Sequence, residues 1–344
     1  MVVIRARGAG GPEVLVPEVA PVPRPGPREL LIEVWAAGVN RPDVLQREGR
    51  YPPPPGATDV LGLEVMGRVV DTGSRIRRFA HDDRVMALVV GGGYAEYVSV
   101  PEVQCLPIPR GLTPFEAAGL PESLFTVWFN LGMRARIKTR EWILIHGGGG
   151  AIGTLAVSLA AAWGCRVVTT TDSAGKGARL RALGAAEVFQ YTQSGFWTAL
   201  EDVSAERGGF DVILDMIGGP YFEKNLGLLA PDGRLVQIAF RQGSRLEVDL
   251  APFLYQRLTF MGSTLRAQDP VAKGRIARSI ERHVFPHIAA GRLRPVVDSV
   301  FPLQDAGCAH ARIDDPEHFG KIILVTKQGA GLGLLPAPPA TRGW

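Results

Sequence analysis

The sequence predicts an α/β protein in which a doubly wound parallel sheet is joined to a second, mostly β domain. Three observations carry that reading. A buried-strand run, Trp142-Ile143-Leu144-Ile145-His146, stops at four consecutive glycines. From about residue 121 to 262, short apolar runs alternate with helical stripes. Residues 1–120 are rich in valine, glycine and proline, with β-type runs broken by turn signals.

After the glycines, Ile152, Leu155, Ala156, Leu159 and Trp163 recur at helical spacing, so a helix opens at about Ala151. Strand, glycine turn and helix are the context that gives Gly148-x-Gly150-x-x-Gly153 its meaning as a dinucleotide fingerprint. The first turn, Ala151, Ile152 and Gly153, offers free N–H groups and a partial positive charge to phosphates. No residue from Trp142 to Cys165 carries a fixed charge, which also suits a membrane span. Four glycines inside a lipid-facing helix, at about 1 kcal/mol each, argue against it.

Further parallel strands are expected at Arg166–Thr171, Glu187–Tyr191, Phe210–Asp215 and Gly233–Ile238, with a helix from Lys176 to Leu183 ended by Gly184. In the N-terminal part, Leu30–Trp35, Gly67–Val70 and Arg84–Val90 read as strands, and Pro52–Pro55 as a stiff extended loop. Beyond residue 262 come a helix over roughly Pro270–Gly291 and strands at Val296–Val300 and Lys321–Val325. They do not extend the parallel pattern, so this segment is expected to rejoin the N-terminal domain. The expected domains are therefore 1–120 with 263–327, and 121–262, followed by a disordered glycine-, proline- and alanine-rich tail at 328–344.

Net charge is +4, from arginines scattered along 344 residues rather than from a basic block, which speaks against nucleic acid as a partner. The three cysteines, Cys105, Cys165 and Cys308, lie far apart and define neither a disulfide framework nor a zinc finger. With no signal-peptide pattern at Met1–Arg5, a soluble cytoplasmic protein is expected.

The matching stretches Gly38-Val39-Asn40-Arg41-Pro42-Asp43-Val44, Gln46 to Tyr51, Leu61-Gly62-Leu63-Glu64 and Gly91 to Val98 run in order along the chain. So do Gly111-Leu112-Thr113, Asp215 to Gly219 with Glu223-Lys224-Asn225, and Phe319-Gly320-Lys321-Ile322. In these the chain resembles the medium-chain dehydrogenase/reductase superfamily. It is most similar to the zinc-free quinone oxidoreductases related to zeta-crystallin, in the branch containing the p53-inducible quinone oxidoreductase. The resemblance implies a GroES-like catalytic domain, a Rossmann domain binding NADPH, and reduction of quinones. Zinc-dependent relatives carry cysteine at Asn40 and histidine at Leu63, and neither an amide nor an isobutyl group ligates Zn²⁺. The expected chemistry therefore needs no metal, because a conjugated acceptor delocalises the charge that hydride delivers.

The resemblance places Asn40 and Tyr51 in the substrate cleft, Asn40 as an amide donor to a developing oxyanion and Tyr51 as a donor or stacking surface. Asn40 also reads as a capping asparagine, Tyr51 as packing against the proline loop, and Asp43 as a helix-capping carboxylate. On the cofactor side the resemblance implies Thr126 near the carboxamide, and Ile217, Gly218, Ala239 and Phe240 along the ring's path. Ser173, Lys176 and Tyr191 fall at the 2′-phosphate and adenine, and Arg266 and Lys321 near the phosphates. Thr171 takes the place of the NAD-selective carboxylate. Asp172 is a departure that either weakens NADPH preference or is a solvated turn residue. His146 reads as a packed structural histidine. Relatives pair edge strands, so a homodimer through Leu258–Gly262 is expected. Two alternatives stay open: an enoyl or enone reductase, and a non-catalytic NADPH-binding protein.

Overall fold

A computed structural model describes residues 1–333. The chain forms two compact units. The first holds residues 1–125, 266–289 and those from Pro295 onward; the second holds Thr126–Leu265 and Ala290–Arg294. The changeovers thus fall at 126 and 266, a few residues beyond the 121 and 263 read from the sequence.

The second unit is a six-stranded parallel sheet. Its spatial order is Ala185–Gln190, Arg166–Thr171, Trp142–Ile145, Phe210–Asp215, Leu229–Gln237, Thr259–Gly262. Numbered along the chain this is 3-2-1-4-5-6, the doubly wound order, and it reverses between Trp142–Ile145 and Phe210–Asp215. The central strands are buried on both faces: Ile143, Leu144, Ile145, Val212, Ile213 and Leu214 exclude solvent. The uncharged stretch is divided between the first strand and the helix Ala151–Ala162. No helix among the described residues is long and apolar enough to cross a membrane.

The first unit is a mostly antiparallel sheet built on one eleven-residue strand, Glu29–Val39. That strand pairs with Glu64–Thr72, with Tyr97–Pro101 and with Lys321–Val325, so the chain's late strand does return to its early one. Its core includes Ile32, Val34, Val65, Val85, Tyr94, Ile322 and Leu324. The strand runs beyond the expected Leu30–Trp35 because Ala36, Ala37 and Gly38 are small rather than polar. At Gly38 a Cβ would collide with the Glu64 carboxylate.

Two expectations need correction. The helix expected over Pro270–Gly291 is two helices, Pro270–His283 and Phe285–Ala289. Pro286 has no N–H to give to the preceding turn, and its ring excludes a continuous helix there. The tail expected from residue 328 instead begins with a short helix, Lys327–Gly331, whose Thr326 cap accepts from the Gly329 N–H at 3.2 Å. Residues 334–344 of that expected tail lie outside the described residues.

Candidate functional site

In the second unit, the expected cofactor residues follow the C-terminal ends of parallel strands. Gly148 to Gly153 follow Trp142–Ile145, Ser173 follows Arg166–Thr171, and Tyr191 follows Ala185–Gln190. Ile217 and Gly218 follow Phe210–Asp215, and Ala239 and Phe240 follow Leu229–Gln237. In a parallel sheet these ends share one edge, and the glycine loop sits at the point where strand order reverses. Thr126 opens this unit, its carbonyl accepting from Asn130 Nδ2 at 2.9 Å.

The glycines divide their tasks. Gly147, one residue before the fingerprint, takes the left-handed turn conformation (φ +72°). Its N–H bonds Thr170 Oγ1 (3.1 Å), and the Gly148 N–H bonds the Thr170 carbonyl (2.8 Å), which fixes the loop on the neighbouring strand. A Cβ on Gly153 would collide with the Gly147 carbonyl oxygen. A Cβ on Gly150 would meet open space. Gly150 precedes the helix without offering a side-chain cap, so the first-turn N–H groups of Ala151–Ala162 are left to an outside acceptor. This cradle fits the pyrophosphate of a dinucleotide.

The residues expected at the 2′-phosphate and adenine are partly engaged with one another. Lys176 is 8% exposed, and its ammonium pairs with Asp172 Oδ2 at 2.7 Å, one helical turn back. Thr171 bonds the other Asp172 oxygen (3.2 Å). Ser173 opens the helix Ala174–Ala182 with no side-chain cap bond. The Tyr191 ring is 42% exposed, and burial, then the Asp172 charge, push its hydroxyl above the usual phenol range. Arg241, which sequence reasoning passed over, is exposed and its charge opposes that rise. Phe240 is also exposed, whereas Gly218 is fixed through the buried Asp215 carboxylate, which accepts from Ile217 N (2.6 Å). His146 is buried, bonded to Asn225 Oδ1 (2.8 Å) and packed edge-on to Tyr221. Burial pushes its pKa down, and its role is packing.

In the first unit, Asn40, Glu64 and Lys321 form a closed cluster. The Lys321 ammonium, on a residue 2% exposed, donates to Asn40 Oδ1 (2.6 Å) and Glu64 Oε1 (2.7 Å). Asn40 Nδ2 donates to Glu64 Oε1 (2.9 Å), and the Glu122 N–H satisfies Oε2 (2.8 Å). This corrects two expectations. Lys321 is committed to a buried ion pair rather than offered to a phosphate. The Asn40 amide spends its N–H groups on Glu64 and, more weakly, Gly38, rather than on a substrate oxygen. Lys321 lies 257 residues from Glu64, so only the fold reveals the pairing.

Asn40 also opens the helix Arg41–Arg47, where the Asp43 carboxylate accepts from its N–H (2.9 Å). The capping reading of Asp43 thus describes its contacts. Asp43 accepts further from the Gly62 N–H (3.1 Å) and the Tyr94 hydroxyl (3.2 Å), and burial raises its pKa to about 6. Tyr94 meets His310 Nε2 at 3.0 Å, while His310 Nδ1 lies 3.4 Å from Arg47. Burial first, then the Arg47 and Arg41 charges, push His310 down to about 3.

These two buried groups give opposite pH dependence. Unfolded, His310 takes a proton near 6.5, but folded it resists until about 3, so its contribution to stability falls with acid across that window. Folded Asp43 keeps a proton between 3.8 and about 6 that the unfolded chain has lost, so its contribution falls as pH rises there. A His310→Gln variant is therefore expected to gain on the parent as pH drops, by up to about 1.4 kcal/mol per pH unit. Urea midpoints at about pH 7 and about pH 5 measure this, and parallel shifts of both proteins would refute it.

Tyr51, half-buried, lies under the Arg266 guanidinium, 5.3 Å from ring centroid to Cζ. Arg266 Nε donates to the Val90 carbonyl (2.9 Å) and Nη2 to Gln46 Oε1 (2.7 Å). Its bonds are thus with the Tyr51 side of the first unit, where the resemblance had implied a phosphate contact.

No group of three or more His, Cys, Asp or Glu residues suited to a metal occurs among the described residues. At Asn40 a lysine ammonium already fills the polar cluster, so the residues present do not fit a catalytic zinc.

Fold and site together define a medium-chain dehydrogenase/reductase. The alcohol dehydrogenase GroES-like domain family matches residues 26–110, and the zinc-binding dehydrogenase family matches residues 183–324. Quinone oxidoreductase from Sus scrofa is 31% identical, covering 94% of this chain and 98% of its own. The structure of Escherichia coli quinone oxidoreductase complexed with NADPH superposes with TM-score 0.84 at 25% identity, covering 94% of this chain and all of that one. A phenolphthiocerol/phthiocerol polyketide synthase subunit from Mycobacterium tuberculosis matches at 29% over 92% of this chain, but over only 14% of the subunit. The chain belongs to the medium-chain dehydrogenase/reductase superfamily, in the group that holds the quinone oxidoreductases.

Proposed function

We propose that this enzyme is an NADPH-dependent, zinc-independent reductase of quinones in the cytoplasm. The observation that carries the reading is the glycine loop at the strand-order reversal, with Ser173, Lys176 and Tyr191 at the ends of the next two strands. When bound, the dinucleotide supplies a hydride. Ala151, Ile152 and Gly153 offer N–H groups to its pyrophosphate, Ser173 and Lys176 meet the 2′-phosphate, and Tyr191 flanks the adenine. Ile217, Gly218, Ala239 and Phe240 border the nicotinamide, with Thr126 at its carboxamide. Asn40 acts through Lys321 and Glu64, holding the loop that leads to Tyr51. Three unpaired cysteines suit a reducing compartment.

The test is loss of nicotinamide absorbance with NADPH or NADH against ortho- and para-quinones, simple enones and a crotonyl thioester. Turnover led by quinones is expected. Turnover confined to enones or thioesters would replace this reading with an enone reductase, which the match to a polyketide synthase segment supports. Binding without turnover of any acceptor would leave a non-catalytic dinucleotide-binding protein.

Because Asp172 neutralises Lys176, preference for NADPH is held below what a free lysine gives. Asp172→Asn is expected to tighten NADPH about tenfold while leaving NADH within about twofold. Titration of nicotinamide fluorescence measures both, and equal changes for the two cofactors would refute the assignment.

A homodimer is part of the proposal. The edge strand Thr259–Gly262 has one paired side, and Phe260, Leu254 and Tyr255 are 44%, 75% and 77% exposed. Sedimentation is expected to give twice the 37.0 kDa chain mass, and a single-chain mass would overturn it.

A further inference from the structure

One buried polar line in the second unit joins the two loops assigned to the dinucleotide. His146, Thr170, Asp215 and Asn225 are each no more than 1% exposed. Among the described residues no cation pairs with Asp215. Its charge is held by the N–H groups of Ile217 (2.6 Å) and Gly218 (3.3 Å) and by Asn225 Nδ2 (3.2 Å). A carboxylate only accepts, so Asn225 turns its NH2 group to Asp215 and keeps Oδ1 as an acceptor. His146 Nε2, 2.8 Å from that oxygen, therefore carries the ring hydrogen. Burial disfavours the charged ring more than the Asp215 charge favours it. A neutral ring leaves Nδ1 to accept from the Thr170 hydroxyl at 3.3 Å. The Thr170 oxygen accepts in turn from the Gly147 N–H at 3.1 Å. Every bond thus points the same way, from the glycine loop through the ring to one carboxylate. The packing of His146 against Tyr221 and Trp197 fixes the ring for both bonds. The line crosses three adjacent strands, Arg166–Thr171, Trp142–Ile145 and Phe210–Asp215, where the strand order reverses.

We infer that Thr170, His146 and Asn225 are positioning residues that tie the glycine loop to the Ile217–Gly218 loop through Asp215, so that each loop sets the place of the other. One loop serves the pyrophosphate and the other borders the nicotinamide, so the tie holds the two ends of the cofactor in register. The inference rests on the dinucleotide reading for its ligand, but the tie itself is measurable in the ligand-free chain.

Three variants break the line at different points. Asn225→Leu removes the amide at nearly constant volume, Thr170→Val removes the hydroxyl, and His146→Phe keeps a ring without either nitrogen. Amide hydrogen exchange of the whole ligand-free chain, followed by mass spectrometry, reads the segments around 147–148 and 217–218. Asn225→Leu and Thr170→Val are each expected to speed exchange about tenfold at both segments, although His146 stands between them. NADPH titration by nicotinamide fluorescence is the second readout. Each variant is expected to weaken binding about tenfold, and the Thr170→Val, Asn225→Leu double variant no more than either alone. His146→Phe should match them, and His146→Gln, which keeps a donor for Asn225, should recover part of the loss. Exchange quickened only beside each substitution, or additive losses of affinity, would overturn the inference, since a merely local structural role gives those results. Should one variant fail to fold, the other two and His146→Gln decide by the same measures. If the unaltered chain binds neither NADPH nor NADH, the dinucleotide reading falls, and the exchange pattern alone decides the tie.

Discussion

Replacing Glu64 by glutamine is expected to destabilise the first unit by about 3–5 kcal/mol, the range for removing one partner of a buried ion pair. The carboxylate is fully buried and is the acceptor for three donors: the Lys321 ammonium, the Asn40 amide and the Glu122 N–H. Glutamine keeps an amide oxygen but no charge, so the buried Lys321 ammonium is left with neutral acceptors and no counter-ion, and one of the three donors loses its acceptor to the new NH2 group. The double variant Glu64→Gln with Lys321→Met should recover part of the loss, since it removes the buried charge together with its partner while an amide oxygen still accepts from the Asn40 amide or the Glu122 N–H. Denaturant midpoints of the parent, single and double variants measure this. A single-variant loss below about 1 kcal/mol, the value of an exposed pair, would show that water reaches the cluster.

The second large effect falls on the glycine loop. Gly153→Ala is expected to weaken dinucleotide binding at least about tenfold and to cost about 1–3 kcal/mol in stability. The added Cβ would overlap the Gly147 carbonyl and approach the Gly148 Cα at 2.6 Å, and both are backbone atoms that no rotamer change can move. The loop would have to leave Thr170, to which Gly147 and Gly148 are bonded. Gly150→Ala makes the contrast. Its Cβ has nothing within 4 Å, so it should leave stability within about 0.5 kcal/mol while obstructing the approaching phosphate. Thermal unfolding and nicotinamide fluorescence separate the two. Equal stability of both variants would refute the collision.

Much of the second unit was legible because its signals are local. The runs at Trp142–Ile145, Arg166–Thr171 and Phe210–Asp215 are bounded by glycine or turn residues, and period alone separates them from the helices between. The first unit was legible mainly through resemblance, since its strands are joined across long sequence distances. Its site was least legible. Asn40 was read as a donor to substrate, but its hydrogen bonds are taken by Glu64 and Lys321, both brought to it by strand pairing. Lys176 was visible as a cation four residues from Asp172, yet which partner it chooses depends on a rotamer. Arg266 is one arginine among many in the sequence, and its burial, which it shares with Arg47, is visible only in the fold. The break at Pro286 had a plain local signal, outweighed by the apolar stripe on either side.

The strand Glu29–Val39 has a consequence for how the chain is made. Residues 36–39 pair on one edge with 322–325, so a nascent chain leaves that edge open until those residues are made, while Ala36 and Ala37 can already pair on the other edge with Met66 and Val65. The parallel sheet, complete by Gly262, has all its strands available much earlier. Emergence from the ribosome therefore orders assembly: the later-coded unit closes first, and the unit begun first closes last. Until Lys321–Val325 arrives, the strand keeps one apolar edge open beside Ala36 and Ala37, a template for wrong pairing that a chaperone would shield.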